Sequence, residues 1–575
     1  MFKHLLPISF LSVCLCLFLL SQGQSKQDAA NPLDVRVDST FESISVRWNL
    51  EGDDNQNSSF TLFFREEGSS DWQEAAPAMR SYPTLIADGQ PINRNDWAAS
   101  VMFLDPSSTY DLKLVLDDSD GGSEEHLTKA TTRTPLEPTS LRTLYVAPGD
   151  GGGDGSESAP FLGLQSAADN ARGGDTFLIK EGRYQPFQLL VSGNLERTIA
   201  LIAEEGAEVV IDGNGTDRGI ITLGEFDQTI GYIILRGLTI QNGMWGVDAQ
   251  HAHNIDFRYN TVRNVFNGYT NRREDALEHN QTICENSFEG LSNWPGNDIP
   301  NEKGIRLMGT GNVVCHNKIR FFGDCVDVQP YTGPSFGNDI YGNDIAYCVD
   351  DGIEIDYNES NVRVWRNRVV NARTGVSLQP IKGGPAYVFR NELINLDTSA
   401  FKLNNSPVGF YLAHNTAIKH GNAIDNGGTD WSNAILRNNL MLGTRYAFEF
   451  IELHEQGFRD LDYNGWGTSR TVDSDNPNHF KWDNVRYGRV ADLPEGIEDN
   501  GLDVSYADLV NGSLPMSYGA GAPKDSWNVQ LEEDSRAIDA GTALTHLNDA
   551  FRIQGDPDLG AFEYGEPLPH YGPRN

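Results

Sequence analysis

From about residue 31 to 135, apolar and polar positions alternate in short runs. Ile44-Ser-Val-Arg-Trp48, Phe60-Thr-Leu-Phe-Phe64 and Tyr110-Asp-Leu-Lys-Leu-Val-Leu116 are examples. Period-two alternation at this spacing predicts the strands of a small β-sandwich. Thr131-Thr-Arg-Thr-Pro-Leu-Glu-Pro138 then reads as a linker, with two prolines and little apolar content. Beyond it the rhythm changes. A helical stretch near Phe161 to Ala171 suits an end cap, and an asparagine then follows a short strand again and again. The asparagines are Asn260, Asn286, Asn317, Asn343, Asn367, Asn391, Asn415 and Asn438, at steps of 26, 31, 26, 24, 24, 24 and 23 residues. A repeat of this length, built from strand-like units, marks a solenoid whose coils stack around one continuous core. Asparagine suits its turn because it tolerates left-handed backbone and can bond to the asparagine of the next coil. The 31-residue step marks an insertion, Ser287 to Gly304, and the stretch from about 452 to 510 breaks the ladder and reads as a lobe.

Each coil carries a second short strand: Val326-Asp-Val-Gln329, Ile353-Glu-Ile-Asp356, Val376-Ser-Leu-Gln379 and Phe401-Lys-Leu-Asn404. Alternation turns Val, Ile, Leu and Phe inward and leaves two outward columns. One is Asp327, Glu354, Ser377, Lys402; the other is Gln329, Asp356, Gln379, Asn404. Arg306 falls beside Asp327 in the same register. With coils ~4.8 Å apart, Asp327 and Glu354 should lie within ~5–6 Å and Asp356 at ~7 Å on the diagonal. Three neighbouring carboxylates serve no structural need on a solvent-facing strand, and their repulsion should raise at least one pKa. Asp324, Asp350 and Asp351 crowd the adjoining turn.

The solenoid resembles the right-handed parallel β-helix of the pectate-lyase-like superfamily over residues 140–565. The resemblance rests on the Leu144-Tyr-Val-Ala-Pro-Gly-Asp150 opening, Asp351-Gly-Ile-Glu-Ile-Asp356 and Asp558-Leu-Gly-Ala-Phe-Glu-Tyr564. Residues 31–135 resemble a fibronectin type III domain, through Trp48 and the tyrosine-corner stretch Leu104 to Tyr110. The expected fold class is therefore all-β, a right-handed parallel β-helix preceded by a small β-sandwich. Most members of the superfamily cleave polysaccharides, and the fold does not choose their chemistry.

Two enzymatic readings follow. In a glycoside hydrolase, the catalytic carboxyls would be Asp327, Glu354 and Asp356, with no cofactor required. In a Ca²⁺-dependent lyase acting on a uronate glycan, those three acids would hold the ion and Lys402 or Arg306 would be the base. Lyases of this fold carry a lysine shortly after an acidic pair, whereas Arg363 stands seven residues after Asp356, so hydrolysis is the expectation. A non-catalytic glycan-binding adhesin is the third reading. Substrate contacts are expected from Arg306, Gln329, Arg373, Gln379, Lys402, Trp294 and Tyr331: guanidinium pairs with carboxylate or sulfate, and ring faces pack on sugars. His251, His253, His279 and His316, in no metal-binding spacing, read as structural.

Charge and export narrow the partners. Acidic residues number 81 against 44 basic, a net charge of −37, which excludes nucleic acid and anionic lipid. Between residues 270 and 402 the balance is closer, 13 Lys and Arg against 18 Asp and Glu, so an anionic glycan can be accommodated there. Residues 1–24 read as a signal peptide with an apolar run, Leu5 to Leu20, too short to span a bilayer. A secreted monomer with no membrane span after cleavage is expected. Cys284 and Cys315 occupy one column on neighbouring coils, as a disulfide or as stacked thiols.

Overall fold

The computed structural model describes residues 27–574, apart from 226, 250–251, 272–278, 297–300, 331–332, 455–456, 471–478, 513–525 and 554. The predicted signal segment and Tyr331 lie outside the described residues. Residues 30–131 form two four-stranded antiparallel sheets. Their facing residues make a core of their own around Trp48, Phe60, Tyr110, Leu112 and Leu114. At the predicted corner the Tyr110 hydroxyl accepts from the Asp105 amide at 3.0 Å.

The rest of the chain is a parallel β-helix. Consecutive coils pair in parallel to give a 14-stranded sheet and a 16-stranded sheet around one apolar core. The 16-stranded sheet turns a corner because its long strands bend in mid-course, as in Asp344–Glu354, Arg368–Ser377 and Glu392–Lys402. The bend needs a left-handed residue, and Asn264, Asn371 and Asn395 supply it. Phe321 and Tyr347 hold the same bend at φ 61° and 60°, a conformation that bulky residues adopt only under strain.

The asparagine ladder forms as the spacing requires. The amide and side chain of Asn343 both donate to Asn367 Oδ1, at 3.1 and 2.8 Å, while its side chain also reaches the Val314 carbonyl. Each rung repeats this pattern, so one buried side chain satisfies backbone on two coils. Two expectations are corrected. The rung after Asn415 is Asn439, not Asn438, which instead bonds to His414 and Thr542. The stretch from 452 to 510 is not a separate lobe. Asn464 continues the ladder, and Gly465–Thr468 pairs in parallel with Leu502–Asp503. Glu498 ends it, accepting the Asn464 amide at 3.1 Å and its side chain at 2.7 Å. Trp431, Trp466 and Phe480 are buried in this part of the core.

Both cysteine pairs are disulfides, Cys284–Cys315 and Cys325–Cys348. The first does not point into the solenoid; it packs against Phe41 of the sandwich, on the outer face of the 14-stranded sheet.

The linker is not a free spacer. Arg133 donates to Asn280 Oδ1 at 2.7 Å and to the Gly311 carbonyl at 2.8 Å. The sandwich lies flat on the 14-stranded sheet, where Met79 and Met102 pack with Trp365, Tyr387 and Phe389. At the centre of this contact Arg363 pairs with Asp339 and donates to the Ser45 and Ser100 hydroxyls at 2.8 and 2.9 Å. The C-terminal segment covers part of the 16-stranded sheet in turn, with Trp527, Leu531 and Phe562 in one cluster with Ile394 and Leu440.

Candidate active site

Beyond the bend, the outward positions of the 16-stranded sheet recur every three residues instead of every two. Lys303 pairs with Asp324, and Asp351 with Thr374 and then Ser399; three residues on, Arg306, Asp327, Glu354, Ser377 and Lys402 align in one row. Gly304, Cys325, Gly352, Gly375 and Ala400 make this possible. Sitting just past the bend, they are small enough for two successive residues to face the core. A side chain at Gly375, for example, would meet the Ala400 carbonyl at 2.6 Å.

The predicted row of Arg306, Asp327, Glu354, Ser377 and Lys402 is therefore real, but its neighbour is different. The strands end at Val328, Glu354, Ser377 and Lys402, so Gln329, Asp356, Gln379 and Asn404 lie in the turn beyond. Asp356 is tied there, accepting from the Ser377 hydroxyl and the Gln379 amide, both at 2.7 Å. Those two bonds link neighbouring coils. The second column is Lys303, Asp324 and Asp351, and the K-x-x-R, D-x-x-D, D-x-x-E and S-x-x-K spacings in the chain carried that signal.

The acids are not on a solvated strand, as period-two alternation implied. Asp327 is fully buried and Asp324, Asp351 and Asp356 nearly so. Carboxylate oxygens of Asp324, Asp351 and Glu354 lie within 4.8 Å of one another. Lys303 reaches in from the insertion, ion-paired with Asp324 and 3.4 Å from both Asp327 and Glu354. Arg306 stands 3.5 Å from Asp327, Lys402 3.3 Å from Asp351, and Arg373 3.9 Å from Asp350. Trp294 packs edge-on against Tyr347 at 5.6 Å, and Tyr347 stacks on Phe321 at 5.1 Å. The two strained aromatics thus anchor the insertion that delivers Lys303.

Protonation follows from burial and crowding. Burial, then Asp327, Asp324 and Asp356, push the Glu354 carboxyl up to about 10. Burial likewise lifts Asp351 to about 8, with Lys402 pulling against it and Asp324 and Asp350 adding to the rise. Asp327 and Asp350 are raised for the same first reason. Burial alone would depress the Lys303 and Lys402 ammonium groups, but the surrounding carboxylates hold both above the ordinary lysine value.

The obstacle that Arg363 posed dissolves in three dimensions. Arg363 lies on the other sheet, under the sandwich, while lysines reach the acids from the preceding coil and from two coils on. Among the described histidines, His253 stacks on His279 at 5.1 Å and His316 is half-buried, its ring pushed down to about 3 chiefly by desolvation. Neither lies in the acidic group.

No family model matches the chain. Part of it is similar to "Pectate lyase PEL9" of Emericella nidulans, 27% identical over 258 residues, covering 41% of this chain. The match spans 55% of that relative's length. Among solved structures, an alginate lyase from Paenibacillus sp. str. FPU-7 aligns at 14% identity, covering 52% of this chain and 94% of its own, with a TM-score of 0.33. The catalytic domain of a GH87 α-1,3-glucanase aligns at 12% identity, covering 77% and 85%, with a TM-score of 0.22. Superpositions this loose carry no argument for fold or function.

Proposed function

We propose that the chain is a polysaccharide-degrading enzyme, and that it is a lyase, cleaving a uronate glycan by β-elimination. The observation that carries this is the meeting of Asp324, Asp351 and Glu354 with an amine, Lys402, at the rim of the same group. The likeness to a pectate lyase supports it. It replaces the expectation of hydrolysis. The oxygens of Asp324, Asp351 and Glu354, within 4.8 Å of one another, are closer than the ~6.5–9.5 Å that an inverting hydrolase leaves for its water, so these three do not form such a pair.

A hard divalent cation fits the donors. They are all carboxylate oxygens, and Asp351 Oδ1 is buried and accepts no hydrogen bond from the described residues. Asp324, Asp351 and Glu354 would hold Ca²⁺, which would bind the substrate carboxylate and stabilise the charge developing beside it. Asp327, 3.4 Å from Lys303 and 3.5 Å from Arg306, adjoins this group, while Asp356 is bonded by Ser377 and Gln379.

Arg306 and Arg373, on either side of the acids, are placed to pair with uronate carboxylates of the chain. Lys402 Nζ, neutral once a bound cation offsets the carboxylates that hold it as ammonium, would take the proton from the sugar carbon next to the carboxylate. The electron pair left behind forms the C4–C5 double bond as the C4–O bond breaks, and the departing oxygen gains a proton from solvent or a neighbouring acid. Lys402 is the base in this reading because its side chain is 23% exposed, against 9% for Lys303 and 13% for Arg306.

Retaining hydrolysis is the second reading, favoured by the raised Glu354 carboxyl, which is what a general acid requires. Polygalacturonate, alginate, sulfated and neutral glycans, followed together by reducing ends and by absorbance near 235 nm, separate the two. Both signals rising support the lyase; reducing ends alone support the hydrolase and overturn it. Affinity without cleavage would leave the adhesin. Export completes the proposal, since two disulfides suit an oxidising compartment. The sandwich, with its Tyr110 corner, we take as fibronectin type III-like.

A further inference from the structure

A further cleft of the described structure lies away from the acids. It is an open trough of about 800 Å³ along the bend of the 16-stranded sheet, on coils nearer the amino terminus. Its walls include Arg183, Asp212, Asn242, Asn264, Phe266 and Leu291. Phe266 and Leu291 are 42% and 43% exposed, and with Met244 they are the apolar side chains of a largely polar trough. Large apolar side chains left in water inside a concave polar surface mark a binding site.

The chemistry of the trough selects its ligand class. Its one buried-side charge pair is closed: Asp212 is ion-paired with Arg183 and accepts from the Gln241 and Asn242 side chains, each at 2.9 Å. What remains is side-chain amide and hydroxyl around a ring, with the exposed carboxylate of Asp217 beside them, a surface that offers donors and acceptors together. Sugar hydroxyls need both, and a pyranose face needs the ring.

Position selects the particular sugar polymer. Leu291 belongs to the same insertion that carries Trp294 and Lys303, and the Ser292 amide bonds to the Phe321 carbonyl at 2.9 Å. One loop therefore forms a wall of the trough and a wall of the acidic site. From the coil of Thr270 to that of Glu354 is three coil steps, through Arg306 and Asp327, or ~14 Å. The geometry points to a distal glycan-binding site in this trough, which holds a further stretch of the polysaccharide whose other residues lie at the acids. The inference rests on the proposal that the chain acts on a polysaccharide, but it is read by affinity and not by cleavage.

The test is affinity electrophoresis through gels containing polygalacturonate, alginate or a neutral β-glucan, comparing the full chain with Phe266→Ala/Leu291→Ser. Both positions are exposed enough that the thermal midpoint should hold. The expected result is retardation of the unaltered protein by one of the three polymers and about tenfold weaker retardation of the double variant. Equal retardation of the two proteins, or none of either by any polymer, overturns the site. Should the midpoint of the double variant fall, Arg183→Ala, on a side chain 67% exposed, replaces it. Loss of affinity there sustains the site, and unchanged affinity overturns it. Absorbance at 235 nm in parallel samples keeps the two proposals apart: weakened binding without any unsaturated product would sink the lyase and leave the trough.

Discussion

The two faces of the β-helix each bury an ionic group, and they do so to opposite ends. Under the sandwich, Arg363 and Asp339 are almost wholly buried, and Thr40, Ser45 and Ser100 from the other domain bond to them. On the bent face, Asp324, Asp327, Asp350, Asp351 and Glu354 crowd around Lys303, Arg306, Lys402 and Arg373. Here acids outnumber cations, and burial raises most of their carboxyls. A buried pair of balanced charge, bonded across two domains, holds them in register; a buried group with charge left over is the better candidate for a ligand site. The difference teaches that burial of charge does not by itself mark a site. An excess of one sign is the better mark.

Substitutions of similar kind should therefore act differently on the two faces. The largest effect is expected from Lys402→Ala and Glu354→Gln. Each should cut the initial rate at 235 nm by about 10²- to 10⁴-fold. Glu354→Gln should leave the thermal midpoint unchanged or raise it, since the amide replaces a carboxyl that the fold already favours uncharged. A clear loss of stability in that variant would break the contrast.

On the other face, Arg363→Met should strand Asp339 and cost about 3–5 kcal/mol, seen as a lowered midpoint, while the folded fraction turns over substrate normally. A midpoint like that of the unaltered protein would show that the sandwich contact does not depend on this pair. Next in size, Ca²⁺ should stabilise the protein by ~2.7 kcal/mol at a hundredfold excess over its Kd. The shift should vanish in Glu354→Gln and persist in Arg363→Met, a readout that needs no substrate. A shift of equal size in all three proteins would place the ion elsewhere.

The smallest effect concerns the carboxyl at the end of the ladder. Burial lifts Glu498 to about 8, so its folded-state value lies above its unfolded one. The stability it contributes is then complete below about pH 4.5 and is lost as pH rises through 8. Glu498→Gln should flatten that part of the melting profile, whereas Asn464→Ala should lower the midpoint at every pH.

Much of this was legible in the chain. The asparagine spacing gave the solenoid, because a turn that must bond to the next coil can be filled by few side chains. The row of Arg306, Asp327, Glu354 and Lys402 followed from counting strand positions between those turns. Asn438 was taken for Asn439 because two asparagines stand together, and only the pairing of coils shows which one faces the core. Lys303 and the Asp324–Asp351 column were missed because alternation by two fails past a bend, where two small residues in succession turn inward.

What the sequence determined, then, is what repeats: coil length, ladder, and which residue types recur along one row. What only the tertiary structure decided is what depends on distant segments meeting. The sandwich meets one sheet where Ser45 and Ser100, more than 250 residues away in the chain, accept from Arg363. Lys303 enters the acids from an insertion of its own coil, and Lys402 from two coils beyond Glu354. Periodicity is a local property and can be read along the chain. The sharing of charge between coils is a property of space, and it exists only once the coils are stacked.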